Sequence, residues 1–308
     1  MLSIVDKIKP EDWVVLELSS WQLEDMDRQK ISPHIAVVTN VLQDHLNRYT
    51  GMRPYARAKE SIVLYQKKGD VAVLNKENAW TRAMAKKTKA KVYFSSNRRG
   101  RTSTVQRSDL NILGEHNIQN AQAAATVARA IGISAKTIIG ALKKFRGLPD
   151  RLEYIRTVHG VRYYNDTTAT TPDATVAALK TLSHQEPRII LIAGGSDKKL
   201  DYKSLMPWIK KTCKAVVFLP GAATDKIKKL AVSCQLSVVA DAASMPSAVR
   251  TASRLATRGD IVLLSPAAAS FARPPKSASG RRRRGLFQHE FDRGEQFRRA
   301  VKSLIPNP

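Results

Sequence analysis

The chain has 308 residues, enough for about two domains, and its 43% apolar and 25% charged residues are typical of a globular protein. No apolar run approaches the roughly 18 residues of a membrane span, and the opening sequence MLSIVDKIKP contains no signal-peptide core. The two cysteines, Cys213 and Cys234, match neither a zinc pattern nor a disulfide framework, so we expect a cytoplasmic protein without membrane contact.

The formal net charge of +26 is compatible with a nucleic acid, an anionic lipid or a polyanionic small substrate as partner. Most of the lysines and arginines are dispersed in short pieces on the polar faces of predicted helices, which favours an ordinary solvated surface. The exception is Arg281–Arg284, which lies in segment 272–284, where two prolines and small residues predict a disordered basic insertion. We expect a monomer and rank nucleic-acid binding below a small-molecule function.

The first half of the chain alternates strand-like apolar runs with helix-like segments. Its predicted strands are 13–18, 34–41, 71–75 and 91–95, and its predicted helices are 54–65, 78–87, 117–132 and 134–145. Ser134 is a suitable N-cap for the last of these helices. The sequence FRGLPDR then breaks the pattern, and Gly147 and Pro149 in it predict a linker.

A second alternating series follows the linker. Its predicted strands are 161–166, 188–195, 215–221, 236–240 and 260–266, and its predicted helices are 171–182, 202–211, 223–232, 245–256 and 295–304. Such alternation predicts an α/β fold with a doubly wound, mainly parallel sheet. Ligands of these sheets lie beyond the carboxyl ends of the strands, so the polar residues after each strand are the candidate site residues.

Polar residues follow two neighbouring strands of the first series. Glu17 lies in the run VVLEL, and a carboxylate at the mouth of a buried strand needs a compensating partner. Asn40, Asp44 and His45 follow the next strand, which together with Glu17 predicts a Mg²⁺ site. Lys59 falls in a predicted helix, and the sequence is also compatible with an ordinary solvated lysine at this position. For Glu17 and His45, local pairing and a structural histidine are the alternatives.

Four further stretches could bind an anionic ligand. Asn117 and Asn120 lie one turn apart on the helix that opens after Gly114, which suits an anion or an ordinary capped helix. Asp166 ends a strand and is followed by threonines, among them Thr170, a set that suits a ribose or phosphate or a capped turn. The third stretch combines paired glycines with a lysine, and the fourth, LLSPAAASF, contains small residues and serines. The residues of these last two stretches are Gly194, Gly195, Lys198, Ser265 and Ser270.

Nine of these motifs, in order and over nearly the whole chain, resemble the Mur ligase family, most closely its D-glutamate-adding members. The motifs are ELSSWQLE, TNVLQDHLNRY, YARAKESI, LGEHNIQNAQAA, RGLPDRLE, YNDTTATTPDAT, GGSDKKLDY, LSPAAASF and GLFQHEFDRGEQF. The resemblance implies the carboxyl-terminal portion of a central ATPase domain over 1–147 and a Rossmann-like domain over 148–308. It also implies ATP and Mg²⁺ as cofactors, UDP-N-acetylmuramoyl-L-alanine and D-glutamate as substrates, and a reaction through an acyl phosphate in peptidoglycan synthesis.

The resemblance also implies roles for individual residues. Glu17, His45 and Lys59 match the family's metal-binding positions, with Lys59 carbamylated so that it offers oxygen ligands. Lys59 and His45 also match catalytic positions. The nucleotide-contacting positions are matched by Asn117, Asn120, Arg151 and Asp166. The positions that hold the incoming amino acid are matched by Thr170, Lys198, Ser270 and Phe271.

Three departures qualify the resemblance. Thr168 stands where the family pattern has a lysine, and the basic insertion separates two motifs that normally lie close together. No G-x-x-G-K-[ST] phosphate loop occurs, so we expect the purified chain to be inactive alone. The alternatives are a related ligase that adds another amino acid or a folate glutamate, which an amino-acid screen would separate, and a nucleic-acid-binding protein, which steeply salt-dependent DNA binding would reveal.

Overall fold

The computed structural model describes residues 2–96, 105–183, 188–233, 239–270 and 286–304. The predicted basic insertion, Phe271 and Cys234 lie outside these ranges. Over the described residues the chain forms two parallel-stranded sheets with helices packed against them, which confirms the predicted α/β class. No helix within these ranges is long and apolar enough to cross a membrane.

The first sheet has three parallel strands in the order β1-β2-β3. The strands are β1 (Ile35–Val38), β2 (Val71–Asn75) and β3 (Lys91–Ser95), and the helices of this half are α1 (Ser20–Gln29), α2 (Met52–Leu64), α3 (Ala79–Met84), α4 (Glu115–Ala130) and α5 (Ala135–Lys144). Their core includes Ala36, Val63 and Leu74, all fully buried. The Ser134 side chain accepts a hydrogen bond from the Thr137 amide at the start of α5, as predicted.

The predicted first strand, 13–18, is wrong. This segment pairs with no strand among the described residues, and most of its apolar side chains are exposed, with Val15 at 93%. An apolar run indicates that a segment can form a strand, but it does not supply a neighbouring strand to pair with. Helix α1, which the sequence did not predict, begins directly after it with a capping box between Ser19 and Gln22.

The second sheet has six strands in the order β4-β5-β9-β6-β7-β8, all parallel except β4. The strands are β4 (Glu153–Val158), β5 (Val161–Asn165), β6 (Ile189–Ala193), β7 (Cys213–Phe218), β8 (Val239–Asp241) and β9 (Ile261–Leu264), and the helices are α6 (Pro172–Leu182), α7 (Met206–Thr212), α8 (Ala222–Ser233), α9 (Met245–Leu255) and α10 (Glu290–Lys302). Two apolar cores, one on each face of the sheet, give the doubly wound arrangement predicted.

Two details of this half differ from prediction. Strand β4 was missed because it is an edge strand whose mixed sequence, EYIRTV, shows no buried run; it pairs antiparallel with β5 through a short turn. Helix α10 begins at Glu290 rather than at residue 295, because the His289 side chain caps it by accepting from the Asp292 amide.

Candidate functional site

The carboxyl end of β1 leads into a compact polar cluster that contains His45 and Asp44. The His45 amide donates to Asp44 Oδ1 at 2.8 Å, and His45 Nε2 lies 3.3 Å from Asp44 Oδ2. The His45 ring contacts Trp21 edge-on, with ring centroids 4.6 Å apart. Burial, with help from the nearby lysine charges, lowers the pKa of His45 below its usual value although Asp44 opposes this. The imidazole is therefore neutral at pH 7 and keeps a nitrogen lone pair.

Lys59 lies in the same neighbourhood, on α2, with its ammonium nitrogen 5.1 Å from the centre of the Tyr55 ring. Burial lowers the pKa of Lys59, while the negative charges of Asp44 and Glu17 pull it back upward. A lowered pKa increases the fraction of neutral amine, and only the neutral amine has the lone pair that attacks an electrophile such as CO₂. The environment of Lys59 thus differs from that of a solvated lysine.

Glu17 is not placed as the sequence predicted. It was expected at the mouth of a buried strand, but it lies on the exposed segment that precedes α1. Its carboxylate is nevertheless near enough to act on the charge of Lys59. Across the described part of the chain, no three histidine, cysteine, aspartate or glutamate side chains converge as a ready-made metal site. A carbamate on Lys59 would add anionic oxygens to the carboxylate of Glu17 and the imidazole of His45.

A cavity of about 1270 Å³ lies between α4 and the turn that leads into β4. Asn117, Asn120 and Arg151, three residues predicted to contact a nucleotide, all line it. Asn117 donates to the Leu113 carbonyl at 2.6 Å, and Asn120 donates to Asn117 Oδ1 at 3.3 Å. The amides come from α4 and the guanidinium from the turn before β4, so both halves of the chain contribute to the lining.

Asp166, the fourth predicted nucleotide contact, lies behind the turn that carries Arg151 and is not among the residues that line the cavity. Its Oδ1 accepts from the Leu152 amide at 3.0 Å and its Oδ2 from the Ser265 hydroxyl at 2.9 Å. Burial raises the pKa of Asp166 to about 7, against the lowering effect of these hydrogen bonds and of Arg151. In this arrangement the Asp166 carboxyl group binds the protein's own Leu152 amide and Ser265 hydroxyl.

This buried carboxyl predicts a pH-dependent stability. Because the folded state binds the Asp166 proton more tightly than the unfolded state, the stabilisation is present below about pH 4 and is lost as pH rises through about 7, by up to about 4 kcal/mol. Asp166→Asn keeps a carbonyl for Leu152 and an amide for Ser265 but cannot ionise. Urea unfolding between about pH 5 and pH 8 should therefore give a flatter profile for the variant. Parallel profiles for the two proteins would refute this role.

The loops that follow β5 and β6 meet at Lys198. Its ammonium donates to Asp44 Oδ1 at 2.9 Å and to Thr170 Oγ1 at 3.2 Å, so it joins the loop after β1 to the second sheet. Lys198 and Thr170, both predicted to hold the incoming amino acid, are thus brought together beside the His45 cluster. A partly buried ammonium between a carboxylate and a hydroxyl is a suitable receptor for a substrate carboxylate that displaces or joins Asp44.

The paired glycines and Ser270, which were also predicted to lie at the ligand, have other surroundings. Gly194 and Gly195 were expected to let a ligand approach the backbone, but their open sides face protein, because a Cβ on either would overlap Thr224 or the Ala269 carbonyl. They serve the packing of three loops, which corrects that interpretation. Ser270 is buried and donates to Glu290 at 3.5 Å, while Phe271 lies outside the described residues.

Sequence reasoning missed Arg293, a fully buried arginine on α10. Its guanidinium donates to Thr167 Oγ1 at 2.9 Å, to the Thr167 carbonyl at 2.7 Å and to the Ala268 carbonyl at 3.1 Å. Burial lowers its pKa to about 10, so it stays charged at pH 7. Arg293 therefore braces the two loops that carry Thr170 and Ser270. The sequence offered only the motif FDRGEQF, in which nothing distinguishes a buried arginine from a surface one.

Family models match most of the chain. The Mur ligase middle domain matches residues 3–128, and the glutamate ligase domain of Mur ligases matches residues 150–268. UDP-N-acetylmuramoylalanine–D-glutamate ligase from Roseiflexus sp. is 38% identical over 94% of this chain and 65% of its own length, and the same-named protein from Pelotomaculum thermopropionicum is 35% identical over 99% and 67%. The chain belongs to the Mur ligase family. It spans about two thirds of the length of these relatives.

A solved structure of a Mur ligase supports the fold. The MurF ligase from Thermotoga maritima, determined in complex with ADP, has a TM-score of 0.62 and 15% sequence identity, and the match covers 89% of this chain and 64% of that one. The predicted fold, part of a central domain with a mainly parallel sheet followed by a Rossmann-like doubly wound domain, is therefore confirmed for this Mur ligase.

Proposed function

We propose that this Mur ligase acts in the ATP-dependent joining of D-glutamate to UDP-N-acetylmuramoyl-L-alanine during peptidoglycan synthesis. The relatives above are named for this activity. The observation that carries the proposal is that Lys198 joins Thr170 to Asp44, beside the neutral His45 and the perturbed Lys59. A cavity lined by Asn117, Asn120 and Arg151 supports it. A cytoplasmic location, a monomeric state and the division at residues 147 and 148 stay predictions.

The proposed reaction has two steps. The γ-phosphoryl group of ATP passes to the substrate carboxylate, which gives an acyl phosphate and ADP. The amino nitrogen of D-glutamate then forms a bond to the acyl carbon, the carbon–oxygen bond to phosphate breaks, and the amine loses a proton. Since the phosphoryl group carries its charge throughout, cations that are already in place contribute more than acid–base groups.

We assign the cations and anchors as follows. Arg151 binds the nucleotide phosphates, while Asn117 and Asn120 bind the nucleotide from α4. Lys198 binds a carboxylate of D-glutamate, with Thr170 as second donor, so that the amine is held for attack. Mg²⁺, when bound, neutralises phosphate charge, and Glu17, His45 and carbamylated Lys59 would hold it.

The amino-acid assignment is tested by Lys198→Ala. We expect the variant to lose at least about tenfold in D-glutamate affinity, because a charge-assisted hydrogen bond to the substrate carboxylate disappears. Its ADP affinity should stay within about twofold of the parent value. Isothermal titration with D-glutamate and ADP measures both, and Lys199→Ala is the matched control because the neighbouring Lys199 is exposed. Unchanged D-glutamate binding by Lys198→Ala would remove the assignment.

A further inference from the structure

The turn that carries Arg151 has an unusual backbone. Asp150 and Leu152, the residues on either side of Arg151, both have positive φ angles, 65° and 46°. Residues other than glycine rarely adopt this conformation, and a bulky residue such as leucine adopts it less readily than aspartate. Such a turn persists only when its surroundings hold it, so the direction of Arg151 depends on the groups that fix its two neighbours.

Hydrogen bonds from the second sheet fix the backbone of this turn. The Leu152 amide donates to Asp166, and the Asp150 carbonyl accepts from the Thr168 hydroxyl at 2.8 Å and from the Thr168 amide at 3.3 Å. Thr168 is the residue that replaces the lysine of the family pattern, and here its hydroxyl is used to hold the turn. The side chain of Asp150 is held by a separate set of contacts.

Arg298 of α10 holds that side chain from the opposite direction. Its Nη2 donates to Asp150 Oδ1 at 3.1 Å and to Glu153 Oε2 at 2.9 Å, while Asn165 donates to Asp150 Oδ1 at 2.7 Å. Only 18% of the Arg298 side chain is exposed. We call Arg298, Asp150, Glu153 and Asn165 the Arg298 clamp. Gly294, one turn earlier on α10, lets Asp150 approach the helix, since a Cβ there would overlap Asp150 Oδ1.

The clamp contains two carboxylates and one cation. Glu153 Oε2 also accepts from the Asp150 amide at 2.9 Å, so both carboxylates lie at the turn itself. If Arg298 is removed, two like charges remain side by side in a partly buried place, and opening of the turn relieves their repulsion. An opened turn would release the strained conformation and move Arg151.

We propose that Arg298 is a positioning residue, which acts through Asp150 and Glu153 to hold Arg151 toward the phosphates of the bound nucleotide. This inference rests on the proposed function, in which Arg151 binds phosphate. It gives the last helix of the described chain a role in nucleotide binding, although that helix does not line the cavity. Arg298 itself touches neither the nucleotide nor the reacting atoms.

The test compares ADP with adenosine, because adenosine offers the same base and ribose as ADP but has no phosphate for Arg151. We expect Arg298→Ala to weaken ADP binding about tenfold, close to the loss caused by Arg151→Ala, with adenosine binding changed by less than about twofold. Arg298→Lys should recover part of the loss, since an ammonium can still pair with one carboxylate. Arg299→Ala is the matched control, because Arg299 is 77% exposed and pairs with Glu295 rather than with Asp150 or Glu153; it also tests the effect of Glu295, which pairs with Arg298 as well.

Three results of this titration would overturn either the role of the clamp or the proposed function. If Arg298→Ala binds ADP with the same affinity as the parent chain, while Arg151→Ala binds it more weakly, the proposed role of the clamp is overturned. The proposed function is then left intact. An equal loss of ADP and adenosine, at a temperature where circular dichroism shows the variant folded, would also overturn the role of the clamp, since the cavity itself would then have collapsed. A parent chain that binds ADP no better than adenosine would overturn the proposed function, and with it the role of the clamp.

Discussion

Arg293→Ala is expected to lower the free energy of unfolding by about 3–5 kcal/mol, the loss typical of a broken buried polar network. Arg293 is fully buried and makes three hydrogen bonds to Thr167 and Ala268. An alanine there leaves two carbonyls and a hydroxyl without a donor and opens a cavity the size of the guanidinium. Urea unfolding of the two proteins gives the difference directly.

The control for this variant is Arg299→Ala, on the same helix. Arg299 is largely exposed and pairs with Glu295 at the surface, so its replacement should change the free energy of unfolding by less than about 1 kcal/mol. A loss below about 1 kcal/mol for Arg293→Ala would show that the two loops do not depend on the buried guanidinium. Arg293→Lys should fall between the two, since an ammonium cannot reproduce the planar set of donors.

The second large effect is expected for Gly294→Ala, compared with Gly140→Ala. Both glycines lie inside helices, where alanine is ordinarily favoured by about 1 kcal/mol. At Gly140 a Cβ has open space, so we expect that gain. At Gly294 a Cβ would overlap the Asp150 carboxylate and lie 2.7 Å from Thr167 Cγ2, so α10 must shift, and we expect a loss of about 1–3 kcal/mol or more.

Thermal or urea unfolding of the two variants measures this difference. The comparison cancels the helix propensity of alanine and isolates the close approach between α10 and Asp150. If both substitutions stabilise the protein, α10 does not pack against Asp150 as described. Because Asp150 is part of the Arg298 clamp, Gly294→Ala should also weaken ADP binding, whereas Gly140→Ala should not.

Much of the fold could be predicted because the second sheet is buried on both faces. Strands such as β6 and β9 are continuous apolar runs, Ile189–Ala193 and Ile261–Leu264, and short runs of this kind are typical of strands covered by helices on both sides. Segment 13–18 has an equally apolar pattern but remains exposed and unpaired among the described residues. The difference between the two cases lies in the strand neighbours, which a local pattern does not encode.

Parts of the site were predictable for a similar reason. Polar residues after consecutive parallel strands must lie at one edge of the sheet, so the proximity of Lys198 to Thr170 follows from their positions after β6 and β5. The bond from Lys198 to Asp44 could not be predicted in this way, because it joins different sheets. Arg293 and Arg298 were missed because their function depends on the packing of α10 against loops more than 120 residues earlier in the chain.

If both halves of the chain form one nucleotide site, hydrogen exchange measured with and without saturating Mg²⁺ and ADP will show it. Bound ADP should slow exchange in two separate segments at once, the first turns of α4 around Asn117 and Asn120 and the turn at residues 148–154 around Arg151. Slower exchange in only one of these segments, or in neither, would contradict a nucleotide site shared between the two halves.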